Sequence, residues 1–400
     1  MKKYPPLQSP ISNYEKTILI NTDVLIVGGG ISGLHTAYKL QKRGVSFILV
    51  EARERLGGRI LSKNYDASSS KDDSIYDANK PAYDLGPSWF WPGQKNIEIL
   101  VNELDLADSV FPQQGSGESV YEDQQGNIQK GFYGISMEGI YRMRGGTGQI
   151  ISKLAQGVNT DNIKTSTQVT SIEYQDNKTV TSLIENQSSE KAQYQITSNK
   201  VVIALPPRIA MSSIKFKPAL TESRINELNN YATWMAGHAK LLAIFDKPFW
   251  LEQGLSGDAV SQLGPIREIH DASSNPNDSL GLEGYALFGF VGVPASYRKG
   301  NEDEIKKTAA EQLVRMFGEA AANPISIVLQ DWAQEVFTST EIDLSMSGGH
   351  ATSSINKTTE SSFDDRLIWS GTETANHRQG TNGLLEGAVE ASVRTLETLV

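Results

Sequence analysis

Residues 24–33 read VLIVGGGISG. The four apolar residues at the start of this segment predict a short buried strand. Gly28, Gly30 and Gly33 follow it at the G-x-G-x-x-G spacing, which is a weak motif on its own because glycine-rich turns are common. The residues around the motif therefore have to show whether it binds a nucleotide, and which one.

The chain after the glycines has the pattern of a βαβ unit. Apolar residues recur at helical spacing over residues 31–43, and Gly44 is a typical helix end. Residues 47–50 predict a second buried strand, which Glu51 closes. A strand, a glycine turn, a helix and a second strand that ends on an acidic residue together predict dinucleotide binding.

Each residue of this unit has its own expected role. Gly28 permits the tight turn, Gly30 lets the backbone approach a pyrophosphate, and Gly33 lets the helix pack closely on the strand. Glu51 can accept hydrogen bonds from both ribose hydroxyls. The free N–H groups and the dipole at the start of the helix would attract the phosphates. The alternative is a purely structural βα turn.

The segment EARERLGGRI, residues 51–60, indicates which dinucleotide is bound. Gly57 and Gly58 let the backbone approach the pyrophosphate a second time, and Arg59 can donate a fork of hydrogen bonds to its oxygens. NAD-binding folds generally lack this extension, whereas FAD proteins have it. At this point the sequence resembles the flavin-containing amine oxidase family, which includes the monoamine and polyamine oxidases.

Four further segments resemble the same family in the same order along the chain. They are YDLGPSWFW (83–91), YRMRGGTGQII (141–151), TQVTSIEY (167–174) and WSGTETANHRQGTNGLLEGAVEA (369–391). Besides the residues already named, the resemblance implies FAD contacts at Ile31, Ser32, Ala52, Arg53, Gly86, Pro87, Ser88, Trp89, Val169, Gly371, Glu373, Leu384 and Leu385.

The resemblance also implies the fold. We expect an α/β protein with a Rossmann-like FAD-binding domain of discontinuous segments, residues 1–92, 145–230 and 336–400. An α+β substrate-binding domain, residues 93–144 and 231–335, would be inserted between them. The active site would lie at the interface of the two domains.

Two residues are the candidates for catalysis. Lys240, which precedes residues 248–250 (PFW), resembles the family lysine that holds a water against flavin N5. Trp332 resembles a family tryptophan beside the flavin. The alternatives are a solvated lysine and a core tryptophan. Further aromatic residues are candidates for an apolar substrate cavity or for the core, namely Phe90, Trp91, Phe249, Tyr285, Phe288 and Phe337.

The chain departs from the family where two aromatic rings usually flank the substrate amine. One position reads Leu384, and the other region, residues 350–352, reads HAT. This departure argues against simple arylalkylamines and leaves room for a bulkier, cyclic or otherwise unusual amine. His350 falls near the site of the covalent cysteine in some family members, but we expect FAD to be bound non-covalently.

Composition excludes several other functions. The formal net charge is −10 and the chain has no basic stretch, so a nucleic-acid partner is not expected. It has no cysteine and no metal-ligand spacing of histidines, so no metal is expected. Residues 1–21 suggest a loose leader without a signal peptide, and no apolar run is long enough for a membrane span. We expect a cytoplasmic protein, and a homodimer is compatible with the sequence.

Three other local patterns predict secondary structure. Alternating residues on either side of 175–178 predict a hairpin, and residues 201–205 predict a buried strand that ends at two prolines. The chain closes with a helix predicted over residues 384–399.

The expected reaction is hydride transfer from the carbon next to an amine to flavin N5. The imine product would hydrolyse, and molecular oxygen would be reduced to hydrogen peroxide. One alternative is a flavin desaturase or dehydrogenase that acts on a cyclic or non-amine biosynthetic intermediate with another electron acceptor. The other is a flavoprotein that serves as a non-catalytic partner.

Overall fold

The structure is a computed structural model that describes residues 17–65, 77, 80–131, 136–185, 193–274, 284–345, 355, 358–376 and 380–399. The strands are β1 Thr17–Val27, β2 Phe47–Val50, β3 Ser62–Asn64, β4 Ala82–Asp84, β5 Val110–Pro112, β6 Glu118–Glu122, β7 Ile128–Gly131, β8 Tyr141–Met143, β9 Ile163–Lys164, β10 Thr167–Gln175, β11 Lys178–Glu185, β12 Gln193–Ile203, β13 Lys215–Lys217, β14 Ala239–Phe245, β15 Leu255–Ser261, β16 Ile266–Asp271, β17 Tyr285–Val291, β18 Ser326–Asp331 and β19 Leu367–Trp369. The helices are α1 Ile31–Arg43, α2 Lys95–Glu103, α3 Gly148–Gln156, α4 Pro207–Ser213, α5 Glu222–Asn230, α6 Phe249–Glu252, α7 Ala295–Arg298, α8 Glu302–Phe317, α9 Glu341–Ser345 and α10 Leu385–Leu399.

The first sheet has a parallel centre. Its order is β13-β10-β11-β12-β1-β2-β9, with β19 also beside β12. Strand β1 runs parallel to both β12 and β2, and β2 runs parallel to β9. Because the residues at the end of β1 alternate, Val24 and Ile26 face α1, α3 and α10, while Leu25 and Val27 face the opposite core. The Rossmann-like fold expected from the sequence is confirmed.

The predicted hairpin lies within this sheet, and two helices pack on the sheet's second face. The predicted hairpin is β10 and β11, and its two turn residues, Asp176 and Asn177, have positive φ angles of 50° and 60°. These φ angles belong to a turn that follows the twist of the two strands. Helices α4 and α5 pack against the same core.

The predicted ends of α1 agree with the structure, whereas the predicted end of β12 and the predicted start of α10 differ from it by one or two residues. Helix α1 spans the residues predicted for it, and Gly44 ends it in the left-handed conformation, with φ 67°. Strand β12 ends at Ile203, two residues before the predicted end, and Pro207 lies in the first turn of α4. The last helix, α10, begins one residue later than predicted.

The prediction of a loose leader over residues 1–21 was wrong for its last part. Strand β1 begins at Thr17, and residues 17–22 pair with the start of β12. These residues are mostly exposed, with only Ile20 packed against the core among the apolar ones, and pairing with β12 keeps them extended. Residues 66–80 and 271–280, whose polar sequences predict surface loops, lie largely outside the described residues.

The second sheet is mainly antiparallel, with the order β18-β14-β17-β16-β15-β6-β7. Strand β14 is buried along its whole length, and its side chains alternate between two cores. Leu241 and Ala243 pack in the core that includes α8, while Leu242 and Ile244 pack against β4. Lys240 lies on the same face of the strand as Leu242 and Ile244, so its side chain points away from α8.

The strands of the first sheet lie in the segments predicted for the FAD-binding domain, and the strands of the second sheet lie in the predicted inserted segments. Strands β6 and β7 join the sheet formed by β14–β18, but α2, which starts the first inserted segment, packs on α10 and in the core of the first sheet. The domain boundaries themselves stay a prediction. In the part of the chain that the structure describes, no helix is long and apolar enough to cross a bilayer.

Candidate active site

One cavity brings most of the predicted site residues together. Its volume is about 520 Å³, within the range of small-molecule sites. Its walls come from the β1–α1 turn, the segment after β2, the segment after β4, strands β14 and β17, and the start of α10. The predicted residues that line it are Gly28, Gly30, Ile31, Ser32, Glu51, Arg53, Gly57, Gly58, Arg59, Gly86, Pro87, Ser88, Trp89, Lys240, Trp332, Gly371, Glu373, Leu384 and Leu385.

Three predicted FAD contacts do not line this cavity. Gly33 lies on the inner side of α1, where an added Cβ would come within 2.0 Å of the Gly28 carbonyl oxygen. The close helix–strand approach expected of Gly33 is therefore present. Val169 is buried in the core of the first sheet, and Ala52 stands between two lining residues, Glu51 and Arg53, without lining the cavity itself.

One end of the cavity is built around Glu51. Its Oε2 accepts a hydrogen bond of 2.8 Å from the N–H of Gly29, and its Oε1 accepts one of 2.8 Å from the N–H of Arg53. The carboxylate is therefore fixed at the end of β2, beside the glycine turn. Gly57 donates 2.8 Å to the Gly29 carbonyl, so the second glycine pair lies directly against the first.

Arg59 and Glu373 form an ion pair across this end of the cavity. Nη2 of Arg59 lies 2.6 Å from Oε1 of Glu373, although we expected Arg59 to donate its fork to a pyrophosphate. One arm of the guanidinium is thus held by the protein. Glu373 is only 2% exposed, and its Oε2 is buried without a hydrogen-bond partner in the described structure.

These features fit a dinucleotide such as FAD. An added Cβ at Gly30 would meet nothing within 4 Å, so the turn leaves open space where a pyrophosphate would approach. Helix α1 begins next to that space and has no side-chain cap. Its first N–H groups are suited to an anion, and the unpartnered Oε2 of Glu373 is suited to a hydroxyl donor.

A second group of lining residues surrounds Lys240. Its Nζ donates to the Ser88 hydroxyl at 2.6 Å and to the Gly86 carbonyl at 3.2 Å, and it lies 3.9 Å from the centre of the Phe288 ring. Burial lowers the pKa of Lys240 to about 7, against a partial opposing effect of Asp84. Lys240 is therefore not the solvated lysine of the alternative reading.

Trp332 and Trp89 are fixed near Lys240. The indole N–H of Trp332 donates 2.9 Å to the Leu85 carbonyl, just before Gly86. Trp89 packs at 5.1 Å on the Phe288 ring and donates 3.2 Å to Gln113. Both tryptophans line the cavity, so neither is only a core residue.

The aromatic candidates divide between cavity and core. Trp91, Phe288 and Phe337 line the cavity, whereas Phe90 and Phe249 are buried in hydrophobic cores and Tyr285 packs beside one. His350 and the rest of the region 350–352 lie outside the described residues. Leu384 lines the cavity as an aliphatic side chain, as its position in the sequence indicated.

Sequence reasoning missed several lining residues. They include Met137, Trp234, Met235, His238, Arg267, Glu268 and Phe290. These residues lie on strands and loops that have no local sequence motif. They were missed because they reach the cavity only through tertiary packing. For Phe290 a partial signal was available, because it lies two residues after the candidate Phe288 and would share its face of a strand, as it does in β17.

The buried His270 forms a hydrogen bond with Glu268, one of the missed lining residues. His270 lies with Nδ1 at 2.8 Å from Asp258 and Nε2 at 2.7 Å from Glu268. Burial lowers the pKa of His270, but the hydrogen bonds with the two carboxylates outweigh it and raise that pKa above its usual value. The same contact holds the pKa of Glu268 below its usual value, so the cavity wall carries a negative charge there.

Comparisons with known proteins agree with this geometry. Residues 119–396 match the family described as flavin containing amine oxidoreductase, and residues 26–104 match the NAD(P)-binding Rossmann-like domain. The chain is 23% identical to a probable flavin-containing monoamine oxidase A of Dictyostelium discoideum, over 93% of this chain and 96% of that protein. It is 34% identical to a putrescine oxidase of Kocuria rosea, over 26% of this chain and 18% of that protein.

Solved structures of this fold cover nearly the whole chain. A wild-type putrescine oxidase bound to putrescine has a TM-score of 0.72 at 19% identity, with 95% of this chain and 99% of that chain covered. The cyclohexylamine oxidase of Brevibacterium oxydans IH-35A has a TM-score of 0.72 at 18% identity, with 94% and 98% covered. The family match extends over more than half of the chain, from the second sheet to the last helix. This chain therefore belongs to the flavin-containing amine oxidoreductase family and is a flavin-dependent enzyme.

Proposed function

We propose that the protein is an amine oxidase that binds FAD non-covalently and oxidises the carbon next to a neutral amine. The observation that carries the proposal is that a nucleotide cradle and the buried Lys240 line one and the same cavity. The likeness to a probable monoamine oxidase, a putrescine oxidase and a cyclohexylamine oxidase supports an amine as substrate. When bound, FAD supplies the hydride acceptor.

The nucleotide end would hold FAD through three kinds of contact. The α1 N-terminus and the glycines Gly28, Gly30, Gly57 and Gly58 would bind the pyrophosphate through backbone N–H groups. Glu51, already fixed by two N–H donors, would accept from the ribose hydroxyls. The Arg59–Glu373 pair would give the pyrophosphate a cation and offer the second carboxylate oxygen to a hydroxyl of the cofactor.

Lys240 would hold a water where the substrate reacts. An ammonium has three donors, and Ser88 and Gly86 accept two of them. The third donor of Lys240 is then available to a water in the cavity. With a pKa of about 7, part of the population carries a neutral amine instead, whose lone pair accepts from the same water. Lys240 can therefore orient a water and move a proton at it near neutral pH.

Helix α10 contributes electrostatically. It begins at Leu385, which lines the cavity together with Leu384. The positive end of the helix would stabilise negative charge that develops on the bound ring system during reduction.

Peroxide release on an amine panel tests the proposed reaction. Purified enzyme in air should consume oxygen and form one peroxide per amine oxidised, with an aldehyde or ketone as the second product. An enzyme that no amine reduces, that a non-amine or other cyclic intermediate does reduce, and that is reoxidised only by an added acceptor would instead be the alternative desaturase or dehydrogenase. A flavin that no small molecule reduces would indicate the non-catalytic alternative.

Acid precipitation tests the mode of FAD binding. We expect a yellow protein that releases intact FAD into the acid supernatant, because the chain has no cysteine to form a thioether link. Flavin that remains with the precipitated protein would contradict non-covalent binding and direct attention to His350.

A further inference from the structure

The loop that joins α5 to β14, residues 231–238, forms one wall of the cavity and is fixed at both ends. At its start, the Asn382 side chain donates 2.8 Å to the Tyr231 hydroxyl. At its end, Arg298 donates 2.7 Å to the Gly237 carbonyl, and the Trp332 N–H donates 3.0 Å to the carbonyl of His238. The loop therefore has a defined position relative to both the C-terminal segment and Trp332.

Within this loop, Trp234 packs directly on the turn that precedes α10. An added Cβ at Gly383 would lie 2.6 Å from Cβ and Cγ of Trp234 and 2.7 Å from its Cδ1. Gly383 also has a φ of 84°, which favours glycine. Only a glycine at 383 permits this contact, so the turn and the tryptophan fit each other.

The backbone next to Trp234 is strained. Met235 adopts a φ of 58°, which is uncommon for a residue with a long side chain. Such strain persists only where surrounding contacts impose it, and it is concentrated at ligand-binding segments. Trp234 and Met235 both line the cavity.

Trp234 also differs in burial from the core tryptophans of the chain. Trp250 and Trp369 are fully buried, whereas Trp234 is half-buried and lines the same cavity as Lys240 and Leu384. The cavity wall at 384 is aliphatic, and the Trp234 side chain packs on the residue just before it. Trp234 therefore adds an aromatic side chain to the cavity lining beside Leu384.

We propose that Trp234 is a specificity-determining residue, whose ring supplies the aromatic surface for the substrate that Leu384 does not supply. This inference depends on the proposed amine oxidation. An indole face attracts an ammonium and packs well on apolar carbon, and tryptophan is the strongest of the aromatic side chains in the first respect. A substrate with an aryl or bulky apolar group beside its amine would gain most from the contact.

The first test measures binding without chemistry. α,α-Dimethylbenzylamine and tert-butylamine have no hydrogen on the carbon next to nitrogen, so neither can be oxidised by hydride removal. Each is titrated into the oxidised holoenzyme, and the change in flavin absorption gives a Kd. We expect Trp234→Ala to weaken the aryl amine at least about tenfold and more than tert-butylamine, with Trp234→Phe between the two.

The matched control is Thr233→Val in the same loop. Thr233 is buried, its hydroxyl has no hydrogen-bond partner in the described structure, and it does not line the cavity. Thr233→Val should leave both Kd values within about twofold of the parent. FAD content and thermal unfolding of each variant report whether the loop itself has been disturbed. If Trp234→Ala loses FAD, the Kd values of the Trp234→Phe variant decide: values equal to those of the parent would overturn the role of Trp234.

The second test places an aromatic ring at residue 384, with and without the ring at residue 234. A tyrosine at 384 should be crowded by Trp234, so Leu384→Tyr alone should weaken binding of the aryl amine. In the Trp234→Ala background the same change should strengthen it, which makes the two substitutions strongly non-additive. Independent, additive effects on Kd would overturn the proposal.

The outcomes separate this inference from the proposed function. If the wild-type flavin responds to the probes and Trp234→Ala and Trp234→Phe retain the same Kd values, the role of Trp234 is wrong while amine binding stands. If no amine changes the wild-type spectrum or reduces the flavin, both proposals are wrong.

Discussion

Arg59 and Glu373, which are 314 residues apart in the chain, are joined by a hydrogen bond of 2.6 Å from Nη2 to Oε1. The pair connects the segment after β2 to the C-terminal segment, and both residues line the cavity. Glu373 is buried, and Arg59 is the cation that pairs with it. One ion pair in the lining of the nucleotide site therefore also holds the C-terminal segment against the segment after β2.

We first predict that Arg59→Ala and Glu51→Ala each weaken FAD binding. The first variant removes a cation from the pyrophosphate region, and the second removes the acceptor for ribose hydroxyls. Loss of one charge-assisted contact should cost roughly 1.5–3 kcal/mol of binding free energy. Titration of the apoprotein with FAD measures it.

Arg55→Ala is the control for this experiment. Arg55 is in the same segment, but it donates to the backbone carbonyls of Leu56 and Ile60 and does not line the cavity. Its loss should leave FAD affinity close to that of the parent. Unchanged affinity in both Arg59→Ala and Glu51→Ala would show that the nucleotide site is wrongly assigned.

A second prediction separates the two roles of the glycine turn. Gly33→Ala would place a Cβ 2.0 Å from a backbone oxygen of Gly28, so it should lower the free energy of unfolding by roughly 1–3 kcal/mol. Gly30→Ala places its Cβ in open space at an ordinary φ of −70°, so it should fold normally.

The same Gly30→Ala variant should nevertheless bind FAD poorly, because the new methyl group occupies the approach of the pyrophosphate. Urea unfolding of the apoproteins measures the first effect, and FAD titration measures the second. Full FAD affinity in Gly30→Ala would mean that the cofactor does not approach this turn.

A third prediction concerns the chemistry of Lys240. Lys240→Met should keep the fold and the FAD but slow flavin reduction, reoxidation or both, because methionine is close in length and lacks the donors that hold a water. Stopped-flow traces recorded without and with oxygen separate the half-reactions. A variant that equals the parent in both would return Lys240 to a structural role and weaken the assigned mechanism.

A fourth prediction follows from the lowered pKa of Lys240. In the unfolded chain the group titrates near 10.5, and in the folded protein near 7, so between these values the unfolded state binds more protons. The stability of the parent relative to Lys240→Met should therefore rise with pH from about 7 to about 10 and be flat below about 6. Urea unfolding of both holoproteins at pH 6, 8 and 9.5 measures the difference. A difference that is constant with pH would contradict the lowered pKa.

Much of the fold was predictable because its signals are local. Helix α1, its end at Gly44 and the turn at Asp176 and Asn177 each follow from residues whose backbone preferences act within a few positions. The early start of β1 was not predictable, because residues 17–22 are mostly exposed and are kept extended by pairing with β12.

The same distinction applies to the site. The glycines and Glu51 were found because a βαβ unit places them together from one continuous segment. Trp234, His238 and Glu268 were missed because they reach the cavity through the docking of a loop and of the second sheet, which no short motif records. The ion pair of Arg59 with Glu373 was missed for the same reason.

The central claim is that an amine transfers hydride to the flavin in this cavity, and anaerobic reduction of the bound flavin tests it most directly. The holoenzyme is mixed without oxygen with a library of amines, amino acids and cyclic imines, and the flavin absorption is followed. We predict that at least one amine bleaches the flavin and that the rate falls in Lys240→Met. If no amine reduces the flavin and another class of compound does, the assignment as an amine oxidase is wrong.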